Sequence, residues 1–571
     1  MSAAKGEDRA DFPWVAHYEP QVARHIGDFN RPINGFLEES AGKYPSHSAT
    51  VYFGAALSFD RLNRMANRFA NSLPGLGFQP GDRVALMLPN CPQMVAAYYG
   101  ILKARGVVVQ INPLLSAPEV AFHVQDSGAK ILFALPRFED IYGPLLDDGS
   151  LEHVVLTHVG DYAGFPYNIL IPLLGRIHRE HSGPLKGRGR HDFRKLTATA
   201  SDLNPSPAPR GGDLALIQYT SGTTGKSKGA MLTHANLVAN ALQCHAWLHD
   251  IKPGPGGDSF LAVIPFFHVY GMTVCMNLAL EAGCTLVLLP RFNVDAVLSA
   301  VRRYRCTIFP GVEIMYNALN HSPKSAKGYL KSIRSCISGA GPLYREVQEK
   351  FEALSGGKVS EGYGLTEASP VTHSNPLFGE RRTGSIGLPF PDTEARVVDQ
   401  GQVDRELPPG EAGELLVRGP QVMQGYWKRP EETAKVLGGG WLHTGDIAKM
   451  DQDGFFYIVD RKKDMIKTRG ENVYPRSLEE VLMRHPQVAD VVVVGIPDEA
   501  LGEKIKAYIV AKGPRPDPGD LADYCRKFLA KFEIPQEFEF RDSLPKNIIG
   551  KTLRRLLREE ELSKHKGGKP S

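Results

Sequence analysis

Residues 219–229 carry the residue types best suited to binding phosphate, reading Tyr-Thr-Ser-Gly-Thr-Thr-Gly-Lys-Ser-Lys-Gly. Small hydroxyl residues and glycines let backbone N–H groups approach an anion closely. Lys226 and Lys228 add positive charge. An apolar strand at 214–217 precedes the segment, and a helix is expected to begin near Thr233. The pattern therefore predicts a loop that binds a triphosphate.

The end of this segment, Gly225-Lys226-Ser227, imitates the end of a Walker A motif. That motif requires a glycine five residues before Gly225, and position 220 is threonine. The match to a P-loop nucleotidase therefore fails. The alternative is a Ser/Thr/Gly-rich linker, but such linkers rarely end in Lys-Ser-Lys between a buried strand and a helix.

Further short segments follow in a fixed order along the chain. They are Phe267-His268, Ser-Gly-Ala-Gly-Pro at 338–342, Glu-Gly-Tyr-Gly-Leu-Thr-Glu at 361–367, His-Thr-Gly-Asp at 443–446, Asp-Arg-Lys-Lys-Asp at 460–464, Arg-Gly-Glu-Asn at 469–472 and Pro-Lys-Asn-Ile-Ile-Gly-Lys at 545–551. Together with 219–229 they resemble the adenylate-forming superfamily of acyl-CoA synthetases, beetle luciferases and peptide-synthetase adenylation domains. The resemblance covers nearly the whole chain and is closest to the long-chain fatty-acid–CoA ligases.

The resemblance implies ATP-dependent activation of a carboxylic acid as acyl-AMP plus pyrophosphate, followed by transfer to coenzyme A. Joining a carboxylate to a triphosphate requires neutralisation of negative charge, which magnesium and a lysine supply. By this resemblance Glu367 and Thr220 are the magnesium ligands, and Thr366 contacts the α-phosphate. The resemblance also implies that Lys551 is the adenylation lysine, and a long ammonium side chain can reach both reacting anions. The catalytic set is Lys551, Glu367, Thr366 and His268.

The nucleotide base and ribose have their own candidate residues. The ring of Tyr363 can stack on adenine, and the small residues after position 338 let a flat base lie against the backbone. Asp446 resembles the family's ribose clamp, with Arg461 as the second contact. The complete predicted ATP/AMP set is Tyr219, Thr220, Ser221, Gly222, Thr223, Thr224, Gly225, Lys226, Lys228, Gly229, Gly339, Ala340, Gly341, Glu361, Gly362, Tyr363, Gly364, Asp446 and Arg461.

The second half-reaction implies a second geometry. Family members rotate the small C-terminal domain between adenylation and thioester formation, and Lys463 stands at the resembled hinge position. After the rotation, the pantetheine channel is expected to be lined by Gly470, Glu471 and Asn472. The cofactors implied are ATP, Mg²⁺ and coenzyme A as a cosubstrate.

The acid is inferred from the segment around Phe267-His268. Amino-acid-activating relatives hold the substrate ammonium with an aspartate there, whereas this chain has His268, so amino acids are not expected substrates. The predicted acyl pocket is apolar and consists of Phe267, Tyr270, Met272, Val312 and Met315. A long-chain fatty acid is the expected substrate. A medium-chain or aryl acid remains an alternative, as does a nucleotide-binding family member without catalysis.

The elements that must position these residues indicate an α/β protein. Strand and helix signals alternate through the first two-thirds of the chain, beginning with a helix capped by Ser58 and including a helix at 92–103. This predicts doubly wound sheets in an N-terminal domain at 1–462, with a β-rich subdomain at 386–460. A small, mobile α+β C-terminal domain is expected at 463–571.

Composition restricts the partners and the compartment. A net charge of +4 over 571 residues is too small to indicate nucleic-acid binding. None of the seven cysteines forms a Cys-x-x-Cys pair, so reduced, buried thiols in a cytoplasmic protein are expected. The apolar stretch 260–280 is interrupted by Pro265, His268, Gly271 and Asn277, and therefore predicts a strand and a helix rather than a membrane span.

A membrane surface and a second copy of the chain are the remaining partner hypotheses. An apolar run at 169–174 leads into a region with seven Lys or Arg residues against two acidic residues up to position 195. Apolar residues beside basic ones suit an anionic membrane, where fatty acids partition. A solvated basic loop is the alternative. The expected location is cytoplasmic, with peripheral contact at the inner face of the membrane, and a homodimer is a further hypothesis.

Overall fold

The computed structural model describes residues 12–170, 187–220, 227–401, 405–469, 471–498, 500–546 and 552–566. Its backbone contacts divide the chain into two compact units. The larger unit comprises the chain up to Glu394 together with Arg418–Leu442, and the smaller unit comprises Ala395–Val417 and the chain from His443 onward. The predicted domain limits at 386, 460 and 463 stay predictions.

The first sheet of the larger unit is parallel in its centre and antiparallel at its edges. Within the described residues its strands are, in spatial order, Leu388–Pro389, Val371–Ser374, Lys358–Gly364, Ser335–Ser338, Ile308–Gly311, Ser259–Ala262, Thr285–Leu288, Ser48–Tyr52 and Ala55–Ser58. The central strands are parallel and almost wholly buried, as expected for strands covered on both faces.

The second sheet of this unit contains the predicted phosphate segment. Its strands, among those described, are Gly425–Tyr426, Lys228–Thr233, Leu214–Thr220, Val107–Gln110, Arg83–Met87, Ile131–Ala134, His153–Leu156 and Arg190–Asp192. The chain passes from Arg83–Met87 to Val107–Gln110 on one side, and then to Ile131–Ala134 on the other. This reversal is the doubly wound arrangement, so the predicted fold class is confirmed.

Two helices of the larger unit begin where local signals place them. Ser58 caps the helix Phe59–Ser72 by accepting a hydrogen bond from the Arg61 amide at 3.3 Å, as predicted. The helix Pro92–Lys103 carries proline in its first turn, also as predicted. The other helices include Gly35–Lys43, Ala117–Ser127, Glu139–Asp147, His234–Trp247, Val294–Tyr304, Glu313–Asn320 and Arg345–Ser355.

The apolar stretch 260–280 folds as a strand and a helical segment inside the larger unit. The strand is Ser259–Ala262, and the helical part begins as a buried π-helix, Gly271–Asn277, before one α-helical turn at Leu278–Glu281. The predicted helix in the second half of this stretch is present. Its π geometry was not predicted, because the sequence carries no signal for it. None of the described helices is long and apolar enough to cross a membrane.

The seven cysteines are all buried and unpaired, which confirms the prediction of free thiols in the core. Burial raises the pKa of the Cys91 thiol to about 12 and that of Cys525 to about 11. Because the thiolate is the reactive form, these cysteines act as small apolar residues rather than nucleophiles.

The smaller unit is α+β. One of its sheets contains Glu394–Val398, Gly413–Arg418, Trp441–Met450 and Phe456–Arg461. The other contains Glu471–Val473, Ile466–Thr468, Gly502–Ala511, Val488–Asp498 and Glu537–Phe540. The described helices are Pro475–Met483, Pro518–Arg526 and Arg554–Lys566. Apolar residues of the second sheet and of the first two helices form one core cluster.

Candidate active site

Strands Leu214–Thr220 and Lys228–Thr233 form an antiparallel pair, the hairpin, whereas the sequence predicted one strand followed by a helix. Strand Leu214–Thr220 pairs with Lys228–Thr233, with Thr220 opposite Lys228. Thr233 then caps the expected helix by accepting from the Asn236 amide at 3.1 Å. The second strand was missed because 228–233 lacks a clear apolar alternation. Ser221, Gly222, Thr223, Thr224, Gly225 and Lys226 lie outside the described residues.

The side chain of Lys228, the first residue of the second hairpin strand, is held by two contacts. Its ammonium forms an ion pair with Glu432 and lies 5.2 Å from the ring centroid of Tyr426. The hydrogen bond from Lys228 lowers the pKa of Glu432 to about 2, so the carboxylate is charged at neutral pH. An oriented ammonium next to Thr220 is suited to contact a phosphate.

Glu367 lies against the same part of the second sheet. It belongs to the short 3₁₀ helix Thr366–Ala368, and its carboxylate oxygen Oε1 accepts a hydrogen bond from the Tyr426 hydroxyl at 2.7 Å. Its carbonyl oxygen accepts from the Met423 amide at 2.9 Å. Tyr426 therefore connects Glu367 with Lys228, whose cross-strand partner is Thr220.

The donor chemistry of Glu367 and Thr220 fits Mg²⁺. Both side chains offer hard oxygen atoms, and Mg²⁺ is usually bound by one or two carboxylates together with substrate phosphates. The described residues contain no group of three or more His, Cys, Asp or Glu able to hold a metal alone. A magnesium ion here would therefore depend on the nucleotide's phosphates.

Tyr219 faces away from Lys228 and anchors the hairpin to helix Ala117–Ser127. Its hydroxyl donates to Asp126 Oδ2 at 2.7 Å, and its ring stacks on His123 with centroids 4.1 Å apart. Burial lowers the pKa of His123 to about 4, so the ring is neutral at pH 7. Asp126 also pairs with Arg429 at 2.9 Å. These contacts fix the first hairpin strand.

The predicted adenine residues lie at the ends of two neighbouring parallel strands. Ser335–Ser338 and Lys358–Gly364 place Ser338 beside Glu361, so Gly339, Ala340 and Gly341 leave the sheet at the same edge as Tyr363. Ligands of open α/β sheets bind at this edge. Ala340 has a left-handed φ of 66°.

Tyr363 is half-buried and makes an edge-to-face contact with His373 at 5.9 Å. Its backbone pairs with His373 in the antiparallel strand Val371–Ser374. The next residue, Gly364, permits a close approach, since a Cβ there would lie 2.2 Å from the Pro370 carbonyl oxygen. Gly362 and Glu361 precede Tyr363 on the same strand.

The predicted acyl residues meet the adenine segment at Tyr270. Val312 and Met315 are buried in one apolar cluster against which Tyr270 packs. The Tyr270 hydroxyl donates to the Ile337 carbonyl at 2.8 Å, and a Cβ on Gly339 would lie 3.3 Å from its ring. The residues predicted to bind the acyl chain and those predicted to bind the base are therefore contiguous in the larger unit.

Phe267 and His268 precede the π-helix Gly271–Asn277, and Met272 lies within it. Met272 is fully buried in the π-helix, and the Phe267 carbonyl accepts from Gln218 Nε2 at 3.1 Å, which ties this turn to the hairpin strand. Burial lowers the pKa of His268 to about 4. At pH 7 a neutral imidazole stands beside the predicted acyl pocket, and it can donate or accept a hydrogen bond.

The smaller unit holds the remaining predicted residues. Asp446 and Arg461 are cross-strand partners, with Arg461 Nε 3.3 Å from Asp446 Oδ1. Lys463 is exposed in the turn between Phe456–Arg461 and Ile466–Thr468. Glu471 and Asn472 are exposed on the strand Glu471–Val473. Gly470 and Lys551 lie outside the described residues.

Several residues of the site were not predicted from the sequence. Tyr426, Glu432, Asp126 and Arg429 hold the hairpin and Glu367, yet Glu432 is 204 positions from Lys228. The only local signal is at 430–432, where proline and two acidic residues begin the helix Pro430–Val436. That signal predicts the start of a helix but does not indicate that Glu432 pairs with Lys228.

A mixed doubly wound fold with a hydroxyl- and lysine-rich hairpin beside a glutamate is typical of nucleotide-binding enzymes. Residues 37–427 match the family model described as AMP-binding enzyme, and 477–551 match the AMP-binding enzyme C-terminal domain. The chain belongs to the AMP-binding enzyme family, which confirms the predicted resemblance.

Curated relatives and solved structures cover almost all of the chain. A long-chain-fatty-acid–CoA ligase of Bacillus subtilis is 42% identical, covering 97% of this chain and 99% of its own. The enzyme of the same name from Escherichia coli O6:H1 is 38% identical, covering 96% and 98%. The crystal structure of ATP-bound MatB from Rhodopseudomonas palustris has a TM-score of 0.82 at 31% identity, covering 93% and 99%.

Proposed function

We propose that this protein is an ATP-dependent long-chain fatty-acid–CoA ligase that forms acyl-AMP and then acyl-CoA. The observation that carries the proposal is the connection of Thr220, Lys228 and Glu367 through Tyr426, beside an apolar pocket. Two relatives bearing the ligase name, each similar over nearly their whole length, support the same reaction.

In the first half-reaction, the hairpin binds the triphosphate and Lys228 donates to its oxygens. Tyr363 and the 339–341 segment bind the adenine. Mg²⁺, held by Glu367 and Thr220, would neutralise charge on the phosphates and on the departing pyrophosphate. Neutral His268 and the apolar wall exclude water and orient the carboxylate toward the α-phosphorus.

Residues of the smaller unit complete the proposed cycle. Asp446 accepts hydrogen bonds from the ribose hydroxyls, and Lys551 stabilises the negative charge that develops during adenylation. A rotation about Lys463 then brings the 470–472 segment to the adenylate, where coenzyme A attacks the acyl carbon and AMP leaves.

Acyl-chain length provides a test of the substrate class. If the chain is buried against Tyr270, Val312 and Met315, each methylene adds up to about 0.8 kcal/mol of binding. We expect kcat/KM for CoA-dependent AMP release to rise steeply from hexanoate to palmitate. A flat or falling profile would contradict the long-chain assignment and favour a medium-chain or aryl acid.

We also propose that the 169–195 segment contacts anionic membranes through its apolar run at 169–174 and its basic residues. Residues 171–186 lie outside the described residues, and the exposed apolar side chains just before them support the contact. Phe165 is 80% exposed and Ile169 is 58% exposed, which is unusual for side chains of this size. Arg194 and Lys195 are exposed nearby in the sequence. Phe165→Ser with Ile169→Ser should reduce co-sedimentation with phosphatidylglycerol vesicles several-fold at low salt, relative to the exposed control Leu203→Ser. Equal binding by all three proteins would refute the contact. The homodimer remains a prediction.

A further inference from the structure

Tyr426 occupies a fixed position between two groups assigned to the triphosphate. Its short strand, Gly425–Tyr426, pairs antiparallel with Lys228–Thr233, and Tyr426 is opposite Ala230. Its amide donates to Thr433 Oγ1 at 2.8 Å, which ties the strand to the helix Pro430–Val436. The backbone of Tyr426 is therefore held on both sides, and its side chain projects from a rigid element.

The side chain of Tyr426 makes two different contacts. The hydroxyl donates to Glu367 Oε1 at 2.7 Å, and the ring faces the Lys228 ammonium at 5.2 Å. A hydrogen bond to a charged carboxylate is stronger than one between neutral groups, so this contact favours one orientation of the Glu367 carboxylate.

This orientation leaves the second oxygen of Glu367 available. Oε2 makes no hydrogen bond to any described residue, while Oε1 is bound by Tyr426. A single oriented carboxylate oxygen is what a magnesium ion shared with substrate phosphates requires. A ligand whose orientation is fixed by a supporting hydrogen bond binds metal more tightly, because the order is already present before binding.

We propose that Tyr426 is a positioning residue for adenylation, aligning Glu367 for the magnesium of MgATP and orienting Lys228 toward the triphosphate. The inference rests on the proposed function for its place in catalysis. Tyr426 acts through Glu367 and Lys228 and does not itself contact the substrate in this proposal. Its distinctive consequence is a role in magnesium-dependent nucleotide binding rather than in binding of the acid.

The test is ATP binding to Tyr426→Phe by titration calorimetry, with excess Mg²⁺ and separately with EDTA. Phenylalanine keeps the ring over Lys228 and removes only the hydroxyl. We expect the gain in ATP affinity on adding Mg²⁺ to fall about 10-fold, the size of one lost hydrogen bond to a carboxylate. Affinity in EDTA should change less than 2-fold. Tyr18→Phe, which loses a hydroxyl bond to the Pro389 carbonyl, is the matched control and should behave as wild type.

A double substitution tests whether Tyr426 and Glu367 act through the same contact. In a Glu367→Gln background, Tyr426→Phe should have no further effect on magnesium-dependent affinity, because the two side chains act through one contact. An unchanged or increased magnesium gain in Tyr426→Phe, or equal losses with Mg²⁺ and with EDTA, would overturn the proposal. These binding measurements need no turnover, so an absence of acid activation by wild-type enzyme would refute the proposed function separately.

Discussion

Lys551→Ala should reduce acid-dependent ATP–pyrophosphate exchange by about 100-fold or more, the effect of losing about 3 kcal/mol of transition-state stabilisation. The physical reason is that negative charge accumulates on the phosphoryl oxygens as the carboxylate attacks. A lysine ammonium can contact both reacting anions, and no neutral side chain replaces that charge. Thioester formation from added acyl-adenylate should largely survive, because the phosphoanhydride bond is already broken.

Lys546→Ala is the matched control for Lys551→Ala, since it removes a nearby cation of the same run. Lys546 pairs with Asp490 at 2.5 Å, so its charge is already engaged within the smaller unit. An isolated antiparallel β-bridge joins Lys546 to Thr552, on either side of the 547–551 segment. The Leu553 amide also donates a hydrogen bond to the Pro545 carbonyl oxygen. Equal losses in both half-reactions, or an equal effect of Lys546→Ala, would show that Lys551 has another role.

Lys463→Pro should impair thioester formation at least 10-fold while leaving pyrophosphate exchange near wild type. Proline fixes φ at about −65° and restricts the preceding residue, so a hinge at this position could adopt one geometry and not the other. The amide of Lys463 donates no backbone hydrogen bond to a described residue, whereas its neighbour Lys462 donates to Gly445 at 2.9 Å. The substitution should therefore leave the fold of the smaller unit intact.

Lys463→Ala is the control for the loss of charge at the hinge, because it keeps the backbone free. It should support both half-reactions, and far-ultraviolet circular dichroism should be the same for both variants. A matched fall of exchange and thioester formation in Lys463→Pro would contradict a hinge at this residue. If Lys463→Pro kept wild-type rates in both half-reactions, the hinge would have to lie at another residue.

Local signals predicted those elements whose ends are determined by nearby residues. The helix Pro92–Lys103 was predicted with its observed limits because proline favours the first turn. Ser58 was predicted as a cap because its hydroxyl can accept from an amide three residues on. The parallel core followed from strongly apolar strands such as Val107–Gln110, which is fully buried and has one polar residue, Gln110.

Elements determined by distant partners could not be predicted in this way. The strand Lys228–Thr233 lacks alternation and is stabilised by pairing on both sides with Leu214–Thr220 and Gly425–Tyr426. The π-helix Gly271–Asn277 is buried along its whole length, and its own residues carry no signal for π geometry.

The same limit applies to the candidate site. Motif resemblance identified Glu367 and Lys228, but the residues that orient them were missed. Tyr426 is 59 positions from Glu367, and Glu432 is 204 positions from Lys228. Side chains that meet only in the folded sheet leave no spacing pattern in the sequence. The structure therefore adds supporting contacts to the residues that the motifs predicted.

The most direct test of the account is ATP–pyrophosphate exchange by the wild-type protein without coenzyme A. We predict ATP–pyrophosphate exchange that requires Mg²⁺ and is stimulated strongly by palmitate, because the acyl-adenylate forms reversibly at the hairpin beside Glu367. Exchange that proceeds equally without a carboxylic acid, or its absence with every acid from hexanoate to palmitate, would contradict the account.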